Sequence, residues 1–355
     1  MSVRSARIVG SGLIGTSIAL ALATQGAQVE VVDIDPDHEL LAAQLLGNPG
    51  GKLADPELVI IATPPAGTLS ALLSQFDENP QSIFIDISGL KSELIPQVEK
   101  FMEISRRFCA THPMAGREKS GPESARADLF DGRAWIMVPT SATAPEIYAY
   151  VQNFIESLGA TAYQMSATEH DSAIASISHM PQLLSTLMGS SISNTPDSAL
   201  TLAGQGLRDV TRLAGSDSQL WSELFLHNRI ELLPRIAELV TTLDLLALAL
   251  NNGDQEAVAN FLREGNIGAA RIPGKHGAKN RDYTYLPIVI DDKPGQLFSI
   301  FALCKEVDVN VEDLSIEHSP GQESGLVTLA LSASDAIKLH THLLQAGWSA
   351  HAPRK

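Results

Sequence analysis

The chain has 355 residues, 44% of them hydrophobic and 19% charged, and a formal net charge of −16. That length exceeds one ordinary domain and implies two or three. The acidic balance excludes a nucleic-acid partner, whose phosphates need Lys and Arg. Cys109 and Cys304 lie far apart in apolar runs. They read as buried thiols in a reducing cytosol rather than a disulfide framework. Met1–Arg7 runs straight into an apolar segment and leaves no room for a signal peptide. The stretch Leu239–Leu250 is interrupted by Asp244 and is too short to span a bilayer. The expected protein is cytoplasmic, without membrane contact.

Short apolar runs recur at Ala6–Val9, Val29–Val32, Leu58–Ala62, Ile83–Ile87, Arg107–Ala110, Trp135–Val138 and Thr161–Tyr163, with helical segments between them. Continuously apolar strands alternating with helices predict a parallel sheet covered on both faces, an α/β doubly wound domain over 1–165. From about Ser166 the pattern becomes helical: Ala167–Ser193, Ala199–Ala214, Gln219–Leu250 and Gln255–Glu264. This predicts an all-helical domain over 166–265. Its apolar helices outnumber their neighbours within one chain, so a homodimer is expected. Residues Arg263–Arg281 are rich in Gly, Lys, Arg and Asn and read as a linker, bounded at 266–282. A βαββαβ order follows over 283–355, a compact α+β module.

Gly10-Ser11-Gly12-Leu13-Ile14-Gly15 is a G-x-G-x-x-G string between an expected strand and an expected helix. That context supports dinucleotide binding. Gly10 permits the tight turn, Gly12 lets backbone approach a pyrophosphate, and Gly15 allows close helix–strand packing. Asp33, at the end of the second strand, can accept from both ribose hydroxyls and would repel a 2′-phosphate, so NAD is favoured over NADP. Thr63, after the third strand, reads as cofactor edge or as a plain strand-ending turn. No metal set is expected.

The string Thr111-His112-Pro113-Met114-Ala115-Gly116-Arg117-Glu118 places a histidine after the run Arg107–Ala110, with a proline to stop any helix. Oxidation of an alcohol by NAD needs a base for the hydroxyl proton, and an imidazole suits neutral pH. His112 is expected beyond the carboxyl end of its strand, where open α/β sheets bind ligands.

Taken together, Gly10–Gly15, Asp86–Lys91, His112–Gly116 with Glu118, His170-Asp171 with Ser178-His179-Met180-Pro181, and Asp209-Val210-Thr211-Arg212 resemble the prephenate dehydrogenase family, with arogenate dehydrogenases as close relatives. The resemblance covers nearly the whole chain. It implies a Rossmann-type domain and NAD-dependent oxidation of the ring alcohol of prephenate. The ring carboxylate is lost as carbon dioxide and the product is 4-hydroxyphenylpyruvate. On that resemblance His112 is the base and Arg212 grips the ring carboxylate, while Glu118 and Asp209 lie near the pocket mouth. From the residues alone, Asp209 and Arg212 also read as a helix-surface ion pair. The family writes Asp-x-x-Ser-x-Lys, its serine orienting the base, where this chain has Asp86-Ile87-Ser88-Gly89-Leu90-Lys91; either Ser88 reaches round to that role, a water fills in, or the substrate contact is changed. His170 and His179 are nine residues apart, on opposite faces of a straight helix. Both can line one pocket only if Pro181 or an earlier break bends that helix. His179 and Gln182 are favoured as the pocket face, with His170 capping or buttressing the helix start. Many relatives carry a histidine at Gln182, and a neutral amide there would tolerate the ammonium of arogenate.

The segment Asp291-Asp292-Lys293-Pro294-Gly295-Gln296-Leu297 within βαββαβ resembles the ACT domain, a regulatory fold that binds amino acids. This implies tyrosine as effector, with Asp292, Pro294, Gly295 and Leu297 at its site. Rival readings are an arogenate dehydrogenase, a hydroxyacid or imine reductase, and a non-catalytic amino-acid sensor.

Overall fold

The computed structural model describes residues 3–47, 51–116, 121–272, 283–318 and 324–354. It divides into two compact units, Met1–Ala247 and Leu248–Lys355.

The first unit begins β1 (Ser5–Val9), α1 (Leu13–Thr24), β2 (Gln28–Val32), α2 (Pro36–Leu45), β3 (Leu58–Ile61), α3 (Pro65–Glu78) and β4 (Ile83–Asp86). It continues α4 (Leu94–Val98), α5 (Met102–Arg107), β5 (Phe108–Pro113), β6 (Ala134–Pro139), α6 (Pro145–Ser157) and β7 (Thr161–Gln164). One seven-stranded sheet has the order β2-β1-β3-β4-β5-β6-β7. β3 is buried along its whole length, as a strand covered on both faces must be. One cover packs Ile18 of α1 and Phe154 of α6 against Ile8 and Trp135. The other packs Leu72 of α3, Leu94 of α4 and Ile104 of α5 against Ile61, Phe84, Ala110 and Ile136.

Two expectations about this sheet are corrected. The sheet is not wholly parallel: β6 runs antiparallel to β5. Parallel neighbours need a long crossover, usually helical. Between β5 and β6 the described residues hold only a 3-10 turn, Pro122–Ser124, so the chain returns antiparallel. Nor does β5 stop at Ala110. Its pairing with β4 ends there, at Asp86↔Ala110. It continues on β6 through His112↔Ile136 and Pro113↔Trp135. A strand paired on one side tolerates proline, so His112 sits inside the strand and past the end of β4.

The helical part of this unit holds α7 (Ala167–Ile174), α8 (Met180–Ser191), α9 (Asp197–Leu200), α10 (Gln205–Thr211), α11 (Ser218–His227) and most of α12 (Arg229–Asn252). Ser166 and Glu169 form a capping box that starts α7. Ile174 packs into the sheet cover that holds Ala110 and Ile136. Ile230, Leu233, Val240 and Leu243 are exposed and recur on one side of α12.

In the second unit α13 (Gln255–Ala270) continues through Gly265 and Gly268, so the expected linker does not begin at Arg263. Then come β8 (Thr284–Asp291), α14 (Gln296–Glu306), β9 (Asp313–His318), β10 (Ser324–Leu331), α15 (Ala333–Gln345) and β11 (Ser349–Ala350). The sheet is antiparallel in the order β11-β8-β10-β9. Its core joins Ile300 of α14 and Leu339 of α15 to Leu286, Ile288, Val327 and Leu329. This is the βαββαβ arrangement expected from the sequence.

Candidate active site

The turn from β1 to α1 is built by its glycines. Gly10 has φ +106, and a Cβ on it would lie 2.5 Å from the Ala62 carbonyl oxygen. A Cβ on Gly15 would lie 2.1 Å from the Gly10 oxygen. Gly12 has open space around it and caps α1 without a side-chain bond. The side chains of Leu13 and Ile14 turn to the core. Their amides, in the first turn, have no partner within the helix. Asp33 Oδ2 accepts from Ser11 N at 2.5 Å and Ser11 Oγ at 2.8 Å, and Oδ1 accepts from Asp35 N at 2.9 Å. Burial would raise the Asp33 pKa, but these bonds outweigh it and the net shift is down. The result is an ionised carboxylate beside a helix N-terminus stripped of side chains, the cradle a dinucleotide needs. Thr63 Oγ1 lies 3.5 Å from Thr68 Oγ1 at the head of α3, and the Thr63 amide nitrogen stands 3.1 Å from where a Gly10 Cβ would be.

Asp86 ends β4 in full burial and pairs with the fully buried Lys91, Nζ to Oδ2 at 2.6 Å. Ser88 Oγ donates to the same Oδ2 at 2.5 Å and lies 3.2 Å from Lys91 Nζ. The serine therefore belongs to this ion pair and turns away from the role expected of it. Gly89 is the residue that meets His112. A Cβ there would lie 3.8 Å from His112 Cε1 and 3.9 Å from Nε2.

Alternation along β5 puts His112 on the same face as Ala110, toward α7. His170 is one turn before Ile174 on that helix. His112 Nδ1 and His170 Nε2 are 2.9 Å apart, and His170 Nδ1 is 2.7 Å from Asp171 Oδ1. His170 is thus a direct partner of His112, not merely a buttress for the helix start.

The break that brings His179 to the same side is a π turn, Ala175–His179, just before Pro181. Proline cannot donate to the carbonyl four residues back, and a widened turn absorbs the loss. Discounting the bulged residue leaves about eight α-helical steps, roughly 80° past two full turns. His179 is buried, and its Nδ1 lies 3.1 Å from Asn228 Nδ2. Trp221 and Phe225 pack on its ring, each 5.9 Å between centroids.

Gln182 is buried, and its amide is taken by protein partners. Its Nε2 donates to the Leu213 carbonyl at 2.8 Å and its Oε1 accepts from Ser216 Oγ at 3.4 Å. It ties α8 to the 3-10 turn Arg212–Gly215, whose first residue is the exposed Arg212. The helix assumed for an Asp209–Arg212 pair ends at Thr211, and Asp209 accepts from Gln205 Nε2 at 2.7 Å. Glu118 lies outside the described residues.

The three histidines stay neutral. Burial pushes His112 far below the usual imidazole range, with His170, Lys91 and His179 adding to the effect. Burial also lowers His170, against the pull of Asp171. It takes His179 down to about 4. Burial would raise Asp171, but bonds from His170 and Ser92 hold it low and ionised. A neutral imidazole at the carboxyl edge of a sheet whose first turn is a dinucleotide cradle can accept a hydroxyl proton as hydride leaves.

Residues 18–164 match the family model for the prephenate dehydrogenase nucleotide-binding domain, and residues 166–264 match that for the prephenate dehydrogenase dimerization domain. The chain belongs to the prephenate dehydrogenase family. Within it, a Streptomyces niveus protein named "Probable prephenate dehydrogenase NovF" is 27% identical, covering 99% of this chain and 100% of its own. The crystal structure of A. aeolicus prephenate dehydrogenase with hydroxyphenyl propionate and NAD+ is 26% identical, with TM-score 0.68, over 76% of this chain and 98% of that one. Synechocystis arogenate dehydrogenase is 25% identical, with TM-score 0.62, over 75% and 98%.

Against the family's motifs, sequence reasoning missed three contributors. Lys91, one letter of the motif after β4, pairs with the buried Asp86. Asn228 caps α11 and gave no sign of touching a histidine. Asp171, next to His170 in the chain, also accepts from the Lys91 and Ser92 amides at 3.0 and 2.8 Å.

Proposed function

We propose that the protein is an NAD-dependent prephenate dehydrogenase. It removes the ring hydroxyl's proton and a hydride, loses the ring carboxylate as carbon dioxide, and yields 4-hydroxyphenylpyruvate. The observation that carries this reading is His112 on the carboxyl side of the sheet, neutral, with Nε2 beneath Gly89. Gly10, Gly12, Leu13, Ile14 and Gly15 would hold NAD, with Asp33 toward its ribose and Thr63 at its edge, and bound there it would supply the acceptor for the hydride. His112 takes the proton. Arg212 suits the ring carboxylate, because a guanidinium fork cannot be neutralised. His179, buried and uncharged, contributes a hydrogen bond to substrate, with Asp209 and Glu118 at the mouth. Ser88 and Gln182 support the site from behind.

His112→Asn tests the base. The variant should lose roughly 10²–10⁴-fold in turnover, the range of general-base contributions, while keeping its affinity for NAD. Unchanged turnover on prephenate would remove His112 from the chemistry. NADH formation with prephenate and then arogenate separates the two substrates. The amide of Gln182 is already bonded to Leu213 and Ser216, which removes the residue-based argument for arogenate.

The domain reading is a Rossmann-type domain over 1–165, a helical domain over 166–265, a connection over 266–282 and an ACT-like module over 283–355. The exposed apolar side of α12 suits a homodimer. In the module, Gly295 at φ +90 precedes α14 and carries no side chain, leaving amides for an amino-acid carboxylate near Asp292, Pro294 and Leu297. Tyrosine is the effector proposed. A Gly295→Val variant should retain its uninhibited rate and lose inhibition by tyrosine.

A further inference from the structure

Asp171 presents two acceptors to two different histidine systems, and their geometry fixes where the imidazole protons lie. Its carboxylate is ionised and only accepts, so His170 Nδ1, at 2.7 Å, must carry a proton. His170 is neutral, so its Nε2 is bare. His112 Nδ1, 2.9 Å from that bare nitrogen, must then be the donor. His112 is neutral as well, which leaves its Nε2 with a free lone pair. That nitrogen is the one 3.9 Å from the Cβ position of Gly89.

The second chain starts at the main-chain carbonyl of Asp171. A carbonyl only accepts, so the Asn228 atom 3.0 Å away is the amide nitrogen. The same nitrogen lies 3.1 Å from His179 Nδ1 and donates its other proton there. His179 Nδ1 is therefore bare, and the proton of this neutral ring sits on Nε2.

We propose that Asp171 imposes opposite tautomers on two histidines of one site, a bare Nε2 on His112 and a protonated Nε2 on His179. His170 and Asn228 act as positioning residues. The proposal rests on the reading of His112 as the base and says how that base is held ready without the serine the family motif places at Gly89. The orienting group has moved to the other ring nitrogen. When His112 Nε2 takes the substrate's proton, Nδ1–H keeps donating to His170, so the new charge is met by a dipole already aligned toward Asp171 and no further proton needs to move. His179 Nε2–H offers the complementary group, a donor for an acceptor oxygen of the substrate.

The test is a two-bond nitrogen–proton correlation spectrum of the full-length protein labelled with 15N-histidine, at neutral pH and without substrate. His112 should show a protonated Nδ1 and a bare Nε2, and His179 the reverse. Loss of one set of signals in His112→Asn and of the other in His179→Asn assigns them. In His170→Phe the His112 pattern should become a mixture of tautomers. Turnover should fall roughly 100-fold while the KM for substrate and the affinity for NAD change less than threefold, the split expected when only transition-state help is lost. A protonated Nε2 on wild-type His112, or an unchanged pattern in His170→Phe, overturns the relay. The wild-type spectrum decides the matter even if His170→Phe does not fold. Because the spectrum needs no substrate, these tautomers without turnover on prephenate would sink the activity and leave the relay standing.

Discussion

The dinucleotide cradle and the histidine cluster lie in one compact unit, but they are made in opposite ways. The cradle draws on 24 consecutive positions, Gly10 to Asp33, and its geometry comes from one turn. The cluster gathers Asp86–Lys91, His112, His170–His179 and Asn228, from two strand ends, a broken helix and a helix cap. The cradle works by what is absent, since a Cβ at Gly10 or Gly15 would collide with backbone. The cluster works by what is packed together, a buried ion pair under neutral imidazoles. A site of the first kind tolerates change at its open face, whereas in the second each member depends on the others' charge state.

That contrast can be broken at several points. The largest effect is expected at Lys91→Met, which leaves the Asp86 carboxylate buried and unpaired. Losing one partner of such a pair is worth about 3–5 kcal/mol, to be read as a lower midpoint in urea. A change under 1 kcal/mol would mean the pair is not what holds the cluster. Gly12→Val sharpens the other side. Its Cβ meets nothing, so thermal stability should be unchanged, yet branched carbons now stand where a pyrophosphate would approach. NAD affinity should fall about tenfold, or 1.4 kcal/mol, by calorimetric titration.

Acidification should act through the cluster. The three histidines have folded pKa values below the unfolded value near 6.5, so the unfolded chain binds more protons in the window between. Stability is fully present above about 6.5 and is lost as pH falls toward 4, where His179 itself protonates. The melting temperature should drop across that window, and His179→Asn should flatten the drop. The smallest effect is expected at Gly89→Ser. The new side chain would press on Leu224 at 3.3 Å and bring a hydroxyl toward His112 Nε2. Because His170 already orients the base, activity should stay within a few-fold of the parent. A large gain would show that the relay through Nδ1 is not sufficient.

The same contrast governs what could be read from the residues. Strand–turn–helix spacing placed Gly10–Gly15 and Asp33, because every constraint there is local. The helical tract from Ala167 was legible as periodicity, but its phase was not, since the π turn before Pro181 adds a residue without adding a turn. That turn is why His170 and His179 reach one cluster although a straight helix would put them on opposite faces. Ser88 failed for a different reason. A hydroxyl near a base resembles an orienting group until burial shows that Asp86 and Lys91 take it first. The direction of β6 could not be seen either, because it depends on a connection without a crossover helix.

The π turn at Ala175–His179 makes helix regularity itself a sensitive variable. Closing it to a regular α-helix with every residue kept is a change that propensity favours and packing does not. Everything after it would rotate by about 100°, carrying His179 away from Asn228 and Gln182 away from Leu213. Homologues that keep this site should therefore pair a full count from His170 to Gln182 with the π turn, and a count one shorter with an unbroken α-helix.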